Sequence, residues 1–288
     1  MKMLALLAAV ATLSAVPLGA GSAGSIGIVA AENFYGDIAR QVGGAAVKVE
    51  DILSNPDQDP HLFEPSPSVA RAISAARIVV YNGIGYDPWM DKLLGASKAS
   101  GRKVIVVAEL VGRKGGDNPH IWYDPTTMPL LARALAAELI AADPAHQGEY
   151  RGRLERFGQS MQPVQARIAA LRGRVAGVPV TATEPVFGDM FAALGLQVRN
   201  LRLQLAVMNN TEPGASDVAA FETDLRTRQV RLLVYNSQAT DPIAARMRTL
   251  ATASHIPVVG VTETEPAGKT YQDWMLGELD AIDHALSD

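Results

Sequence analysis

Short apolar runs alternate with amphipathic stretches along this chain. Ile26 to Ala30 is a compact apolar run that predicts a strand. Glu32 to Val42 follows, with Phe34, Ile38 and Val42 on one helical face. Val47 to Leu53 predicts a second strand and Ser68 to Ala76 a helix. Arg77 to Tyr81 is rich in β-branched residues and predicts a third strand. Asp87 to Leu94 is helical in pattern, and Lys103 to Val107 predicts a fourth strand. This alternation predicts an α/β fold, with a parallel sheet covered by helices on both faces.

The pattern then restarts. Ala31-Glu32-Asn33-Phe34-Tyr35-Gly36-Asp37-Ile38 lines up with Thr183-Glu184-Pro185-Val186-Phe187-Gly188-Asp189-Met190. Glu64, Pro65 and Ser68 are echoed by Glu212, Pro213 and Ser216. Arg77 to Asn82 matches Arg231 to Asn236, and Asp87-Pro88 matches Asp241-Pro242. Four matches in the same order predict two similar lobes. Between them, Asp124-Pro125 is a good helix start, and that helix should run to about Ala141. A second begins near Pro144. It carries Leu154, Phe157, Met161, Val164, Ile168, Leu171 and Val175 at spacings of three and four, one apolar stripe. Such a helix would span about 45 Å and join the lobes, with Pro163 a candidate kink. The expected division is an N-terminal lobe over 24–143, a linking helix over 144–175 and a C-terminal lobe over 176–288.

Residues 1–23 read differently. Lys2, an apolar run from Leu4 to about Val16, and the small residues from Gly19 to Ala23 have the layout of a cleaved signal peptide. The run is too short to span a bilayer comfortably. The chain contains no cysteine. That excludes thiolate metal sites, cysteine nucleophiles and a lipid-bearing cysteine at the cleavage site, and a free periplasmic protein is the simplest expectation. The net charge of −4 provides no basic surface for nucleic acid. Gly83-Ile84-Gly85 lacks the Lys and Ser/Thr of a phosphate loop, and no Gly-x-Ser-x-Gly elbow occurs.

In open parallel sheets, ligands bind beyond the carboxyl ends of the strands. Four residues with metal-ligating side chains follow strands there. His61 lies in the run Asp59-Pro60-His61-Leu62-Phe63-Glu64-Pro65, and His120 in Asp117-Asn118-Pro119-His120-Ile121-Trp122. Glu184 and Glu263 follow the second-lobe strands at Val178 to Thr181 and Val258 to Val261. Two imidazoles and two carboxylates suit a divalent first-row metal. Spacing alone leaves a structural role open, since a single loop histidine ordinarily serves structure. His146, His255 and His284 sit at a helix start, before a strand and in the last helix, and read as solvated or locally bonded.

With these residues the chain resembles the periplasmic metal-binding proteins of the zinc/manganese ABC importers, the cluster A-I or ZnuA/TroA-like family. The likeness spans essentially the whole mature chain. It rests on the Asp59–Pro65 loop, the Asn-Pro-His-x-Trp run at His120, the Glu-Pro…Ser helix start at Glu212 and the Lys269-Thr270-Tyr271 stretch. The resemblance implies two α/β lobes joined by a long rigid helix, with metal in the cleft between them. It implies a solute-binding protein rather than an enzyme, expected as a monomer, that serves a membrane permease driven by a cytoplasmic ATPase. His61 and His120 match the family's first-lobe ligands. Glu184 falls where zinc members usually carry histidine and manganese members glutamate. Glu263 falls where aspartate is usual, and Glu265 is near enough in sequence to compete. The His- and acid-rich loop of many zinc importers is missing, since Glu109 to Gly116 is short and contains Arg113 and Lys114. The harder donor set favours Mn²⁺ or Fe²⁺ relative to Zn²⁺. A zinc-specific member of the same family is the alternative. A secreted metallohydrolase would need an open water position and a general base that no motif supplies. A surface adhesin would lack the lipid anchor.

Overall fold

The computed structural model describes residues 25–55 and 63–287. The segment read as a signal peptide, residues 1–23, and His61 lie outside the described residues. Two four-stranded sheets organise the chain, and every strand pairing is parallel.

In the first half, β1 (Ile26–Glu32) and β2 (Val47–Leu53) flank α1 (Asn33–Gly43). There follow α2 (Pro67–Ala75), β3 (Ile78–Tyr81), α3 (Pro88–Ala96), β4 (Lys103–Val106) and the single turn α4 (Val107–Leu110). The sheet order is β2-β1-β3-β4. Every residue of β3 is buried, as expected of a parallel strand with helices on both sides.

The second half repeats the plan. β5 (Pro179–Ala182), α8 (Gly188–Leu194), β6 (Gln197–Val198), α9 (Leu201–Met208), α10 (Ala215–Arg226), β7 (Leu233–Asn236), α11 (Pro242–Ala253) and β8 (Val258–Val261) build a sheet of order β6-β5-β7-β8. The two orders are the same permutation, as the internal repeat predicts. In each, the crevice at the strand carboxyl ends opens where the order reverses, beside β1 and β3 or β5 and β7. Glu32 and Asn82 occupy that place in the first sheet, Glu184 and Asn236 in the second. The two-residue β6 and the helix α9 were not expected. β6 is too short to carry a periodic pattern.

Between the sheets, α5 (Thr127–Ala142) precedes a 3-10 turn at Pro144–His146 and then α6 (Gln147–Ser160) and α7 (Gln162–Val175). The single linking helix expected over 144–175 is therefore two helices that meet at Met161, which itself keeps helical dihedrals. Pro163 stands in the first turn of α7. It has no N–H to continue the ladder from the preceding turn, so the break falls there. α6 packs on α1 and α5, whereas α7 packs on α8 and on the final helix α12 (Tyr271–Ser287). The apolar stripe from Phe157 to Val175 faces one core throughout.

That core runs through both halves. One buried cluster holds Phe34, Ile38 and Trp122 together with Phe187, Phe191, Val259 and Trp274. Two smaller clusters lie under the outer faces, around Val79 and Trp89 and around Phe221 and Met247. Among the described residues, no helix is long and apolar enough to cross a membrane.

Candidate metal centre between the sheets

His120 belongs to a segment, residues 117–123, that leaves the first half and docks on the second. It is fully buried. Asn82, at the end of β3, donates through Nδ2 to the Pro119 carbonyl (3.0 Å), and Tyr35 donates to Asn82 Oδ1 (2.6 Å). Asn118 fixes the ring itself. Its Nδ2 donates to the Pro185 carbonyl in the second half (2.8 Å), which leaves Oδ1 as an acceptor for His120 Nδ1 at 2.7 Å. Nδ1 therefore carries the proton, and Nε2 is the ring atom that would ligate a metal. Trp122 and Tyr86 stand edge-on to the imidazole, with ring centroids at 5.2 and 6.0 Å.

Glu263 follows β8 and is also fully buried. Its Oε2 lies 3.6 Å from His120 Nε2. Two donor atoms sharing one tetrahedral metal at bonds of about 2.1 Å stand about 3.4 Å apart, so this separation suits joint ligation. Asn236 Nδ2 donates to Glu263 Oε1 at 2.5 Å. Gln238 Oε1 accepts from the backbone N–H groups of Glu263 (2.5 Å) and Thr264 (3.2 Å). The turn after β8 is thus shaped by side chains from the turn after β7.

Glu184 is buried in extended backbone just beyond β5. It immediately precedes Pro185, whose carbonyl receives Asn118. Among the described residues, no group of three or more His, Asp or Glu side chains closes into a metal cage. The pair brought together is His120 with Glu263. Glu265, the sequence competitor, is turned elsewhere. Its backbone pairs with the Asn33 side chain (3.0 and 2.8 Å). Burial, and then Asp37 and Asp51, push its carboxyl up to about 9. A carboxyl whose charged form is disfavoured by burial and acidic neighbours is a poor partner for the His120 site.

Several residues that shape the site escaped sequence reasoning, namely Asn118, Asn236, Gln238, Tyr123 and Tyr271. Tyr123 donates to the Thr262 carbonyl (2.8 Å) and Tyr271 to the Trp122 carbonyl (2.6 Å). Asn118, Asn236 and Tyr271 did leave traces, in the Asn-Pro-His run, the repeat and the Lys269-Thr270-Tyr271 stretch. Arg113, in the loop that lacks histidines, bonds Asp124 at 3.2 Å and Asp189 in the second half at 2.9 Å. Burial raises the Asp189 carboxyl, and Arg113 opposes the shift. The short loop therefore ties the halves together.

Fold and site define a two-sheet binding protein with nitrogen and oxygen donors where its halves meet. A family model for the periplasmic component A of the zinc-uptake complex matches residues 28–285, and the chain belongs to that family, the metal-binding substrate-binding proteins of ABC transporters. It is 24% identical over 282 residues to the manganese ABC transporter substrate-binding lipoprotein PsaA of Streptococcus anginosus, covering 90% of this chain and 89% of that one. A second relative is the manganese ABC transporter substrate-binding lipoprotein scaA of Streptococcus gordonii, 24% identical over 287 residues with 92% and 90% covered. These relatives are named for binding a substrate, not for catalysis. Among solved structures, the periplasmic zinc-binding protein TroA of Treponema pallidum superposes with a TM-score of 0.77 at 18% identity, covering 91% of this chain and 99% of that one. The Ni²⁺ complex of the binding protein FpvC of P. aeruginosa gives 0.75 at 18% identity, over 91% and 97%. At that identity the likeness speaks for the fold.

Proposed function

We propose that this protein captures a divalent transition metal, Mn²⁺ in preference to Zn²⁺, and delivers it in the periplasm to an ABC permease driven by a cytoplasmic ATPase. The ligands in this reading are His61 and His120 from the N-terminal lobe and Glu184 and Glu263 from the C-terminal lobe. The observation that carries it is the 3.6 Å approach of His120 Nε2 to Glu263 Oε2, with the imidazole proton committed to Asn118. Two carboxylates offset the charge of a divalent ion. Two nitrogens with two carboxylates form a harder set than three nitrogens with one carboxylate, which supports manganese. The manganese names of the curated relatives point the same way. The protein acts as a monomer after its leader is removed. Because the core is continuous between the halves, release rests on small shifts of loops and lobes rather than on wide opening.

Chelator competition tests this reading. His61→Ala combined with His120→Ala should lose high-affinity metal binding, and wild-type affinity in that variant would refute the ligand assignment. With the wild-type protein, zinc bound tightly and not displaced by manganese would refute the metal preference.

A further inference from the structure

Two side chains hydrogen-bond the Glu263 carboxylate, Tyr86 and Asn236, and Asn236 is the one that engages Oε1. It is buried at the end of β7, with 4% of its surface exposed. Its Oδ1 accepts the backbone N–H of Gln238 (3.0 Å), so its Nδ2 is the end turned to Glu263 Oε1 (2.5 Å). Gln238 is fixed in turn. Its Oε1 takes the Glu263 and Thr264 N–H groups, and its Nε2 donates to Thr264 Oγ1 at 3.0 Å. One carboxylate oxygen is drawn toward the β7 turn, and the other lies beside His120.

The matching residue of the first half shows that this is not a general property of the position. Asn82 ends the corresponding stretch and donates only to carbonyls, those of Gly83 (3.1 Å) and Pro119 (3.0 Å). There the amide holds a backbone, whereas Asn236 holds a carboxylate.

We propose that Asn236 is a selectivity-determining positioning residue, which restricts Glu263 to a single metal–oxygen bond through Oε2 and so moderates the preference for manganese over zinc. This rests on the reading of Glu263 as a ligand. The reason is coordination number. Zinc is served by four ligands, whereas manganese gains from the extra oxygen of a bidentate carboxylate. An oxygen whose lone pair is engaged by an amide N–H would compete poorly for a metal. With Asn236 removed, Oε1 swings in as a second donor.

The test uses the full mature protein carrying Asn236→Leu, which keeps the branching at Cγ and loses the donor, and Asn236→Ser, which is too short to reach Oε1. Mn²⁺ and Zn²⁺ affinities are measured by competition with a common chelator. Oxygen neighbours of each bound ion are counted by X-ray absorption. The expected result is a Mn:Zn affinity ratio raised by about tenfold, the lower end of what changes around metal ligands produce, with one added oxygen around manganese. An unchanged ratio and count in a metal-binding variant overturns the proposal. So does equal loss of both metals in both variants, which would make Asn236 a support for Glu263 without a role in selectivity. If wild-type protein binds neither ion, the ligand reading itself falls and takes this one with it. If wild-type protein binds and only the variants behave otherwise than expected, the ligand reading stands.

Discussion

At the scale of single residues, buried acids set the chemistry around the site. Glu278 of α12 accepts Trp274 Nε1 at 2.7 Å and the backbone N–H of Thr262 at 3.3 Å. Thr262 is the neighbour of Glu263. Burial pushes the Glu278 carboxyl from its ordinary 4.5 up to about 8, against the hydrogen bond from Trp274 and the field of Lys269. Burial also raises Glu32 well above its ordinary range, with Asp87 beside it adding to the shift, and lifts Asp87 to about 6. A carboxyl with a raised pKa binds its proton more tightly folded than unfolded. Its contribution is complete below the ordinary pKa and is lost as pH climbs through the folded value. The metal-free protein should therefore melt at progressively lower temperature as pH rises from about 5 to about 8. In Glu278→Gln, which is neutral throughout, that decline should be smaller. A variant whose melting temperatures ran parallel to the wild type across this range would exclude the assignment. Metal affinity has the opposite slope, because an imidazole must lose its proton to ligate.

At the scale of elements, helix and strand meet too closely for side chains at certain points. Gly43 closes α1, and a Cβ there would stand 2.3 and 2.5 Å from the Val47 methyls and 3.0 Å from Val47 Cβ. Rotating Val47 does not relieve contacts that include its Cβ. Alanine would gain about 1 kcal/mol in helix propensity but overpack the junction by about 1–3 kcal/mol. Gly43→Ala should therefore lower stability, whereas Gly158→Ala in α6, whose Cβ would meet nothing within 4 Å, should raise it by about 1 kcal/mol. Urea denaturation of the two variants, read at their midpoints, checks the opposite signs. The same scale explains the broken linker. Seven apolar residues at helical spacing promised one continuous stripe. The stripe is continuous, but the hydrogen-bond ladder beneath it is interrupted by Pro163.

At the scale of the whole molecule, aromatic rings bridge the halves. Phe34 stands 5.9 Å from Trp274, and Tyr123 stands 4.8 Å from Phe187 and 5.6 Å from Trp274. Asn118, Tyr123, Tyr271 and Arg113 add polar ties across the same seam. Two sheets that share one core cannot unfold separately without exposing it. Calorimetry of the metal-free protein should show a single transition, with calorimetric and van't Hoff enthalpies in agreement. Two resolved transitions would mean that the seam is weaker than its packing implies.

Much of this was legible in the sequence because it depends on local periodicity. The buried run Ile78 to Tyr81 and its repeat near Tyr235 announce strands, since a parallel strand covered on both faces has no polar side to display. The repeat announced a second lobe like the first, and the placement of His120, Glu184 and Glu263 after strands followed from the strand pattern. What spacing could not decide was which of these side chains meet. Asn118 reaches a carbonyl 67 positions away, and Asn33 reaches Glu265 across 232. Glu263 and Glu265 are near-equivalent as sequence. Only the fold turns one to His120 and the other to Asp37 and Asp51. The elements were fixed by patterns a few residues long. The tautomer of His120, the orientation of the Glu263 carboxylate and the stiffness of the seam come from packing between distant segments, where burial makes each unmet hydrogen bond costly.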